Sequence, residues 1–141
     1  MATTRLALWN RLSSLCAGDP FYFTQAQAPF DFTAQPTGQI DKVFRITAAQ
    51  ESVIGGTNFS EDRVDLFEVW IARKQMNEPQ AAYGLLLADV SSLTAAVARD
   101  GAQVSGEYNL VDGGSAVIEH EVGKEYAVAR FSLLLTYEAT L

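Results

Sequence analysis

The fold is decided by residues 116–138, which read AVIEHEVGKEYAVARFSLLLTYE. Apolar and polar residues alternate on both sides of Gly123-Lys124, a pattern typical of two β-strands joined by a tight turn. A two-residue loop with glycine first predicts a type II′ hairpin, in which Val122 pairs with Glu125. We therefore predict one strand over Ala116–Val122 and a second over Glu125–Glu138.

The register that follows from this turn sorts the side chains into two faces. It pairs Ala116 with Phe131 and Ile118 with Ala129, which gives one mostly apolar face, whereas the opposite face is charged or mixed. A shift by one residue would bring Phe131 onto the face of Glu119. The hydrophobic pattern and the turn therefore predict the same hairpin.

The final strand is longer than its hairpin partner. At about 3.3 Å per residue it would extend about 45 Å, whereas a domain of this size is about 30 Å across. Leu133, Leu135 and Tyr137 still alternate beyond the partner strand. Either the strand bends and changes partner within the chain, or a neighbouring copy shares it.

The clearest helix lies upstream, over Asn77–Arg99. Asn77 or Glu78 can cap it, Pro79 suits its first turn, and Gly101 is expected to close its end. Three- and four-residue spacing predicts a buried stripe made of Ala82, Leu85, Leu86, Val90, Leu93, Ala96 and Val97.

Two further strands precede this helix. Alternation predicts them over Lys42–Ala49 and Arg63–Lys74, and the segment Glu51–Asp62 with its Gly55-Gly56 pair predicts a turn or a long hairpin loop between them. The second strand is apolar on both faces. We therefore expect it to be central in the sheet and covered on both sides.

An amphipathic helix is predicted over residues 4–17. Thr3 or Thr4 can cap its N-terminus, Gly18 suits the left-handed residue past its end, and Pro20 blocks its continuation. Its apolar stripe is formed by Leu8, Leu12, Leu15 and Cys16.

Residues 19–41 form a long connector that carries several aromatic residues. It is either a loop that covers its own core or an arm that packs on another subunit, because exposed aromatic surface usually marks a contact site. The predicted subunit-interface residues are Phe21, Phe23, Phe30, Phe32, Leu133, Leu135 and Tyr137.

Together these elements predict one α+β domain over residues 1–141. Its mixed, mostly antiparallel sheet of four to five strands is packed by one long helix and a short N-terminal helix. With 48% hydrophobic and 19% charged residues, the chain is too apolar to be intrinsically disordered. No apolar run reaches the length of a membrane span and no secretory signal is evident, so we expect a soluble protein.

Few residues are suited to catalysis or metal binding. The single cysteine, Cys16, and the single histidine, His120, exclude an internal disulfide and a structural zinc site. Cys16 falls on the apolar stripe of the first helix, where a thiol is inert. Strand alternation places Glu119 and Glu121 on the face opposite His120. We therefore predict no catalytic, cofactor-binding or metal-binding residue, and no enzyme.

Charge excludes a further class of function. The net charge is −7, and the cations are scattered, which argues against tight binding to duplex DNA. The densest acidic set is interpreted as a solvated strand entry rather than a calcium loop with Asn58, because the EF-hand pattern is absent. That set consists of Glu61, Asp62, Asp65 and Glu68.

The order of elements resembles that of the tail-terminator and tail-completion proteins of long-tailed bacteriophages. The resemblance covers about residues 40–141 and is one of pattern rather than of a diagnostic motif. The segments that carry it are Lys42–Ile46, Asp62–Val69, Ala81–Arg99 and Ala129–Glu138. Residues 19–41 do not match the family pattern.

The resemblance implies a structural protein of the virion tail, assembled in the host cytoplasm. Such proteins form a ring, usually a hexamer, that caps the tail tube and joins it to the head connector, and the genome passes through the ring. The implied partners are further copies of the chain, the tube protein and the connector protein, with no membrane. A negative wall suits DNA passage because it repels phosphate. The alternatives are another neck or tail-tube component, or a small α+β ligand-binding or enzymatic dimer centred on His120.

Overall fold

A computed structural model gives the structure of residues 2–25, 42–56, 60–74, 79–113, 116–119 and 126–140. These residues form a mixed sheet with two α-helices, which confirms the predicted α+β class. The elements are β1 (Ala2–Thr3), α1 (Arg5–Ala17), β2 (Thr24–Gln25), β3 (Lys42–Gly56), β4 (Ser60–Lys74), α2 (Pro79–Arg99), a π-helical turn (Asp100–Ser105), β5 (Tyr108–Asp112), β6 (Ala116–Glu119) and β7 (Tyr126–Thr140).

The described part of the sheet has seven strands, more than the four to five predicted, because β1 and β2 add two short parallel pairings. Its centre consists of three antiparallel strands of 15 residues each, in the order β3-β4-β7. The predicted central position of β4 is therefore confirmed.

Strands of the same chain pair with both edges of β7. β7 pairs along one edge with the whole of β4, and its other edge pairs in turn with β6, β5 and β1. Ala116 lies opposite Phe131 and Ile118 opposite Ala129, which confirms the predicted register. Farther along, Tyr108 of β5 lies opposite Tyr137. Partner exchange within the chain therefore accounts for the length of this strand, while the Gly123-Lys124 turn lies outside the described residues.

The predicted loop over Glu51–Asp62 was largely wrong. The β3–β4 ladder continues through Glu51 as far as Gly56, which lies opposite Glu61. Only residues 57–59 lie between the two strands. Two irregularities, after Ala48 and after Val53, shift the register. Such bulges let a ladder continue through residues that individually favour a turn.

Both helices contact the sheet through one face. The side chains of that face alternate along the strands and are fully or almost fully buried; they include Phe44, Ile46, Phe67, Val69, Ile71, Phe131, Leu133 and Leu135. On the opposite face Ala72 and its β3 neighbour Val43 are fully buried, whereas Leu66 and Trp70 remain half-buried. The second face of β4 is therefore covered at one end only, and the described helices do not provide this cover, because both lie on the other side.

α1 begins and packs as predicted. The Oγ1 of Thr4 accepts a hydrogen bond from the Ala7 N–H at 3.1 Å, which makes Thr4 the N-cap. Leu8, Leu12 and Cys16 are buried. Gly18, in contrast, has φ −90° and is extended rather than left-handed.

α2 differs from its prediction at two points. Leu85 is 48% exposed rather than buried, because the stripe toward the sheet is narrower than the apolar pattern. The chain also continues past Gly101 in the π-helical turn, and the left-handed residue that ends it is Gly106, with φ 65°. Gly101 instead allows close packing, since a Cβ there would lie 2.7 Å from Tyr108.

Candidate functional site: an open sheet face and an uncharged helix face

The predicted interface residues are buried within one copy wherever the structure describes them. In the connector, Phe21 is 9% exposed and Phe23 is 2% exposed. The predicted interface residues of β7 are each 5% exposed or less. The members of this buried set are Phe21, Phe23, Leu133, Leu135 and Tyr137. Phe30 and Phe32 lie outside the described residues. The buried side chains serve the core of their own chain, and their contact with a second copy stays a prediction.

The side of the sheet away from the helices presents half-buried side chains from its central strands. We call this surface the open face; it is formed by Val64, Leu66, Glu68, Trp70, Ser132 and Leu134. Four of these six side chains are apolar, and Glu68 is charged. A sheet face of this composition ordinarily packs against another layer, so the open face is a candidate contact surface.

An aromatic residue held between two cations lies at one end of the open face. Arg45, Trp70 and Arg130 lie side by side across β3, β4 and β7. The guanidinium carbons of Arg45 and Arg130 lie 4.0 and 5.2 Å from the centre of the Trp70 ring. Both distances are within the range of a cation–π interaction. The Trp70 Nε1 is buried and has no hydrogen-bond partner.

A second surface lies on the far side of the molecule, where α2 faces away from the sheet. We call it the outer face of α2; its exposed residues are Gly84, Leu87, Ala88, Ser91 and Ala95. The only charged residues in the whole helix are Asp89, which is buried, and Arg99, its last residue. Exposed helix surfaces of soluble proteins usually carry charged side chains, so this uncharged face is also a candidate contact surface.

A third feature is the outer edge of β3. Beyond Phe44, no described strand pairs with this edge, although the Ile46 carbonyl accepts a hydrogen bond from Trp9 Nε1 at 2.7 Å. Val53 and Ile54, near the end of the strand, are 58% and 60% exposed. An unpaired edge beside exposed apolar residues is a template for contact with another chain.

The end of the sheet beside β5 is acidic. Asp62 and Glu138, both exposed, lie directly opposite each other on β4 and β7. Two carboxylates in this position repel each other. They help to line a cleft of about 380 Å³, together with Glu107, Asn109 and Arg63, whose guanidinium is already paired with Glu51 and Glu61. This part of the surface is suited to repelling an anion rather than binding one.

The buried carboxylates of the described residues are each paired with one arginine. The pairs Arg5–Asp65, Arg11–Asp100 and Arg73–Asp89 each join both oxygens of the carboxylate to two guanidinium nitrogens. They connect α1 to β4, α1 to the end of α2, and β4 to α2. These pairs position the helices against the sheet, and each of the three carboxylates is bound by an arginine.

Two of these carboxylates have shifted pKa values in opposite directions. Burial raises the pKa of Asp65 and outweighs the effect of its bond to Arg5. The bond from Arg11 lowers the pKa of Asp100, and the Tyr108 hydroxyl also donates to this carboxylate at 2.8 Å. The earlier interpretation of Asp65 as part of a solvated strand entry was wrong, because its side chain is fully buried.

A polar cluster continues from Asp65 toward the edge of the sheet. Arg63 donates to Glu51 at 2.5 Å and to Glu61 at 2.8 Å, and the Tyr137 hydroxyl donates to Glu51. Burial, followed by this bond, raises the pKa of Tyr137. Each carboxylate of the cluster therefore has a fixed partner, which is typical of a structural network.

Cys16 is not placed in a reactive environment. Burial raises the pKa of the Cys16 thiol to about 12, so the thiolate is scarce at neutral pH. His120 and Asn58 lie outside the described residues. Within the described ranges, no three His, Cys, Asp or Glu side chains are grouped so that they could hold a metal ion.

One described helical segment, Gln80–Gln103, is long and apolar enough to cross a membrane by length and composition alone. A third of its most apolar window is buried inside the fold, and core helices of soluble proteins meet the same criterion.

The comparisons with known proteins give no assignment. A scan against protein-family models finds no matching family, and a search of curated proteins finds no match. The functional argument therefore rests on the residues and surfaces described above.

Sequence reasoning missed two of the candidate surfaces, the outer face of α2 and the open face. The outer face of α2 carries its own signal, since only one charged residue, Asp89, lies between residues 79 and 98. The open face was hidden because an apolar strand predicts cover on both sides without indicating which chain provides it.

Proposed function

We propose that this chain is a structural subunit of a closed ring that caps the tail tube of a long-tailed bacteriophage and joins it to the head connector. Further copies of the chain, the tube protein and the connector protein are its partners. The genome passes through the ring without specific binding. The protein is assembled in the host cytoplasm and acts in the virion tail.

The observation that carries this proposal is the apolar surface that the described residues of one copy leave uncovered. It occurs on the open face, on the outer face of α2, and at Val53 and Ile54 beside the edge of β3 that no described strand pairs with. Contiguous exposed apolar surface usually marks a protein contact. Three such places on a small domain support a subunit of an assembly rather than a protein that acts alone.

The positions of these surfaces support a ring in particular. The outer face of α2 and the open face lie on opposite sides of the sheet, so a contact that joins them is of the head-to-tail type. Head-to-tail contacts form a closed ring when the rotation between neighbours is suitable.

The charge distribution supports passage of DNA rather than its binding. The chain has a net charge of −7, and Asp62 and Glu138 form an acidic pair at one end of the sheet. An acidic surface that faces the channel repels phosphate and lets a duplex slide. The three arginine pairs with buried carboxylates support a structural protein too, because these acids are held in the core rather than directed to a substrate.

A tube-capping assay tests the proposed function. Tail tube protein from the same genome is polymerised with and without the purified chain, and tube lengths and ends are measured by electron microscopy. We expect the chain to stop elongation and to appear as a ring at one tube end. Tubes of unchanged length with bare ends would contradict the proposal, even if the chain forms a ring by itself.

A further inference from the structure

We propose that neighbouring copies join edge to edge, so that β5 of one copy pairs with residues 50–54 of β3 in the next copy. This inference rests on the proposed ring and names the contact that closes it. The two segments read YNLVD in β5 and QESVI in β3. Their antiparallel pairing would continue one sheet from each subunit into its neighbour.

Both segments lie at sheet edges that no described strand pairs with. The outer edge of β3 pairs with β2 only as far as Phe44, and β5 has β7 as its single partner among the described strands. An unpaired strand edge is a template for pairing with another chain, and natural proteins often protect such edges with lysine or proline. Neither segment contains either residue, so both edges are suited to contact another strand.

The two edges lie at the same level of the sheet. Ser52 of β3 lies opposite Val64 of β4. Val64 lies opposite Thr136 of β7, which in turn lies opposite Asn109 of β5. A neighbour placed beside the sheet therefore needs no shift along the strands to bring the two edges together. A head-to-tail contact without such a shift closes into a ring, whereas a shift at each step produces an open helical array.

The strand directions also suit a contact between identical copies. β3 is antiparallel to β4, β4 to β7, and β7 to β5, so β3 and β5 of one chain run in opposite directions. Copies placed side by side around an axis that runs along the strands therefore present antiparallel edges to each other. Closure of the ring leaves neither of these edges without a partner, which an open array cannot achieve.

The side chains that this pairing brings together are compatible. Ser52 would lie opposite Asn109 of the next copy, and both side chains can share a hydrogen bond. One level along the strands, Gln50 would lie opposite Asp112, which is also a possible donor and acceptor pair. Glu51 already has its ion pair within its own copy. The paired segments therefore place no like charges directly opposite each other, an arrangement that would destabilise a sheet.

Each edge also carries an exposed apolar residue at a bulge. The β3–β4 ladder skips Ile54, and the β5–β7 ladder skips Val111. Ile54 is 60% exposed and Val111 is 59% exposed. Bulges at sheet edges redirect the side chain of the extra residue. A neighbouring copy at these edges would cover apolar surface on both partners in one contact.

A cysteine pair across the proposed contact tests it. Ser52 and Asn109 are both exposed. Within one copy, three spacings of about 4.8 Å between neighbouring strands hold them about 14 Å apart. A disulfide joins Cα atoms that are within about 7 Å of each other, so a disulfide between these positions must join two copies. Cys16 stays in place, because its buried thiol is unreactive.

We expect Ser52→Cys/Asn109→Cys, oxidised after assembly, to give covalent multimers up to the size of the ring on a non-reducing gel. Each single variant should remain monomeric on this gel, because the contact joins two different edges. A mixture of the two single variants should give a linked dimer and nothing larger.

Ser52→Cys/Val117→Cys is the matched control. Val117 is 44% exposed, but it lies level with Arg45 rather than Ser52, about 20 Å away along the strand. This variant should assemble like the unaltered chain and remain without a cross-link. Circular dichroism checks that each variant folds, and Gln50→Cys/Asp112→Cys replaces the first pair if that pair does not.

Other outcomes would overturn the inference. Rings that form without a cross-link in the folded cysteine pair would show that copies meet elsewhere, and equal cross-linking of the control would show that the disulfides report random collision. Rings that cap tail tubes without the cross-link leave the tube-capping proposal standing. Cross-linked rings that leave tube ends bare contradict tube capping but support this contact.

Discussion

Arg5 binds both oxygens of Asp65, with Nε 2.6 Å from Oδ2 and Nη2 3.1 Å from Oδ1. The two residues are 60 positions apart, at the start of α1 and in the middle of β4. The carboxylate is fully buried, whereas the Arg5 side chain is 39% exposed. A buried charge of this kind fixes the position of α1, since moving the helix would leave Asp65 without its partner.

Arg5→Met should lower the free energy of unfolding by about 2 kcal/mol. Loss of one partner of a fully buried pair costs about 3–5 kcal/mol, and water can reach the partly exposed site, which reduces the loss. Urea unfolding measures the effect. Arg99→Met, at an exposed position, should change stability by less than about 1 kcal/mol.

The double variant Arg5→Met/Asp65→Leu separates loss of the ion pair from loss of packing. It should be more stable than Arg5→Met alone, because no buried charge remains without a partner. A double variant less stable than Arg5→Met would show that Asp65 does not depend on Arg5.

Asp100→Asn should be most destabilising at neutral pH. Arg11 lowers the folded-state pKa of Asp100 below its usual value of 3.8. The carboxylate therefore contributes stability above pH 3.8, and this contribution is lost as the pH falls through the lowered folded-state pKa. Unfolding curves of both proteins over this range should converge as the acid limit is approached.

The loss of stability caused by Asp65→Asn should increase, rather than decrease, as the pH falls. Because burial raises the folded-state pKa of Asp65 above 3.8, the unaltered chain gains stability from protonation as the pH falls through the raised value toward 3.8. The cost of Asp65→Asn should therefore increase over this window. An equal pH dependence for Asp65→Asn and Asp100→Asn would contradict both assignments.

Alanine should change the stability of the fold in opposite directions at Gly84, within α2, and at Gly101, just after it. Gly101→Ala should destabilise the fold by about 1–3 kcal/mol, because its Cβ would lie 2.7 Å from the ring and the carbonyl oxygen of Tyr108. Gly84→Ala should stabilise a single copy by about 0.5–1 kcal/mol, since the position is open. Thermal unfolding under conditions that keep the chain monomeric measures both, and a loss of stability for Gly84→Ala would be inconsistent with the open surface.

The thiol of Cys16 should be protected in the folded protein. Burial raises its pKa to about 12, and the side chain is 3% exposed. Labelling with a disulfide reagent should be slower than in urea by about 100-fold or more, because reaction requires both opening and deprotonation. Equal labelling rates with and without urea would contradict the buried position.

Local pattern predicted the helices and the β6–β7 register well. The alternation around Ala116 and Phe131 specifies one register because a shift by one residue reverses both faces. Thr3 or Thr4 was predicted as the cap of α1, and Thr4 is the cap; such a contact is predictable because it lies within one turn of helix. These features depend on neighbours in sequence or on a single short turn.

Features that depend on distant partners were missed. Asp65 looked like a solvated acid because its partner, Arg5, lies 60 residues away. The segment around Gly55-Gly56 was predicted as a loop because glycine locally favours turns. It is a strand because its pairing with β4 outweighs this preference. Leu85 was placed in the core because the apolar pattern of α2 is wider than the face that contacts the sheet.

The oligomeric state of the purified chain tests the central claim most directly. Native mass spectrometry combined with electron microscopy should show one closed oligomer, near six times the mass of a single chain, with a hole wide enough for a DNA duplex. A chain that remains monomeric at every concentration measured, with its open face and α2 accessible to solvent, would contradict the account.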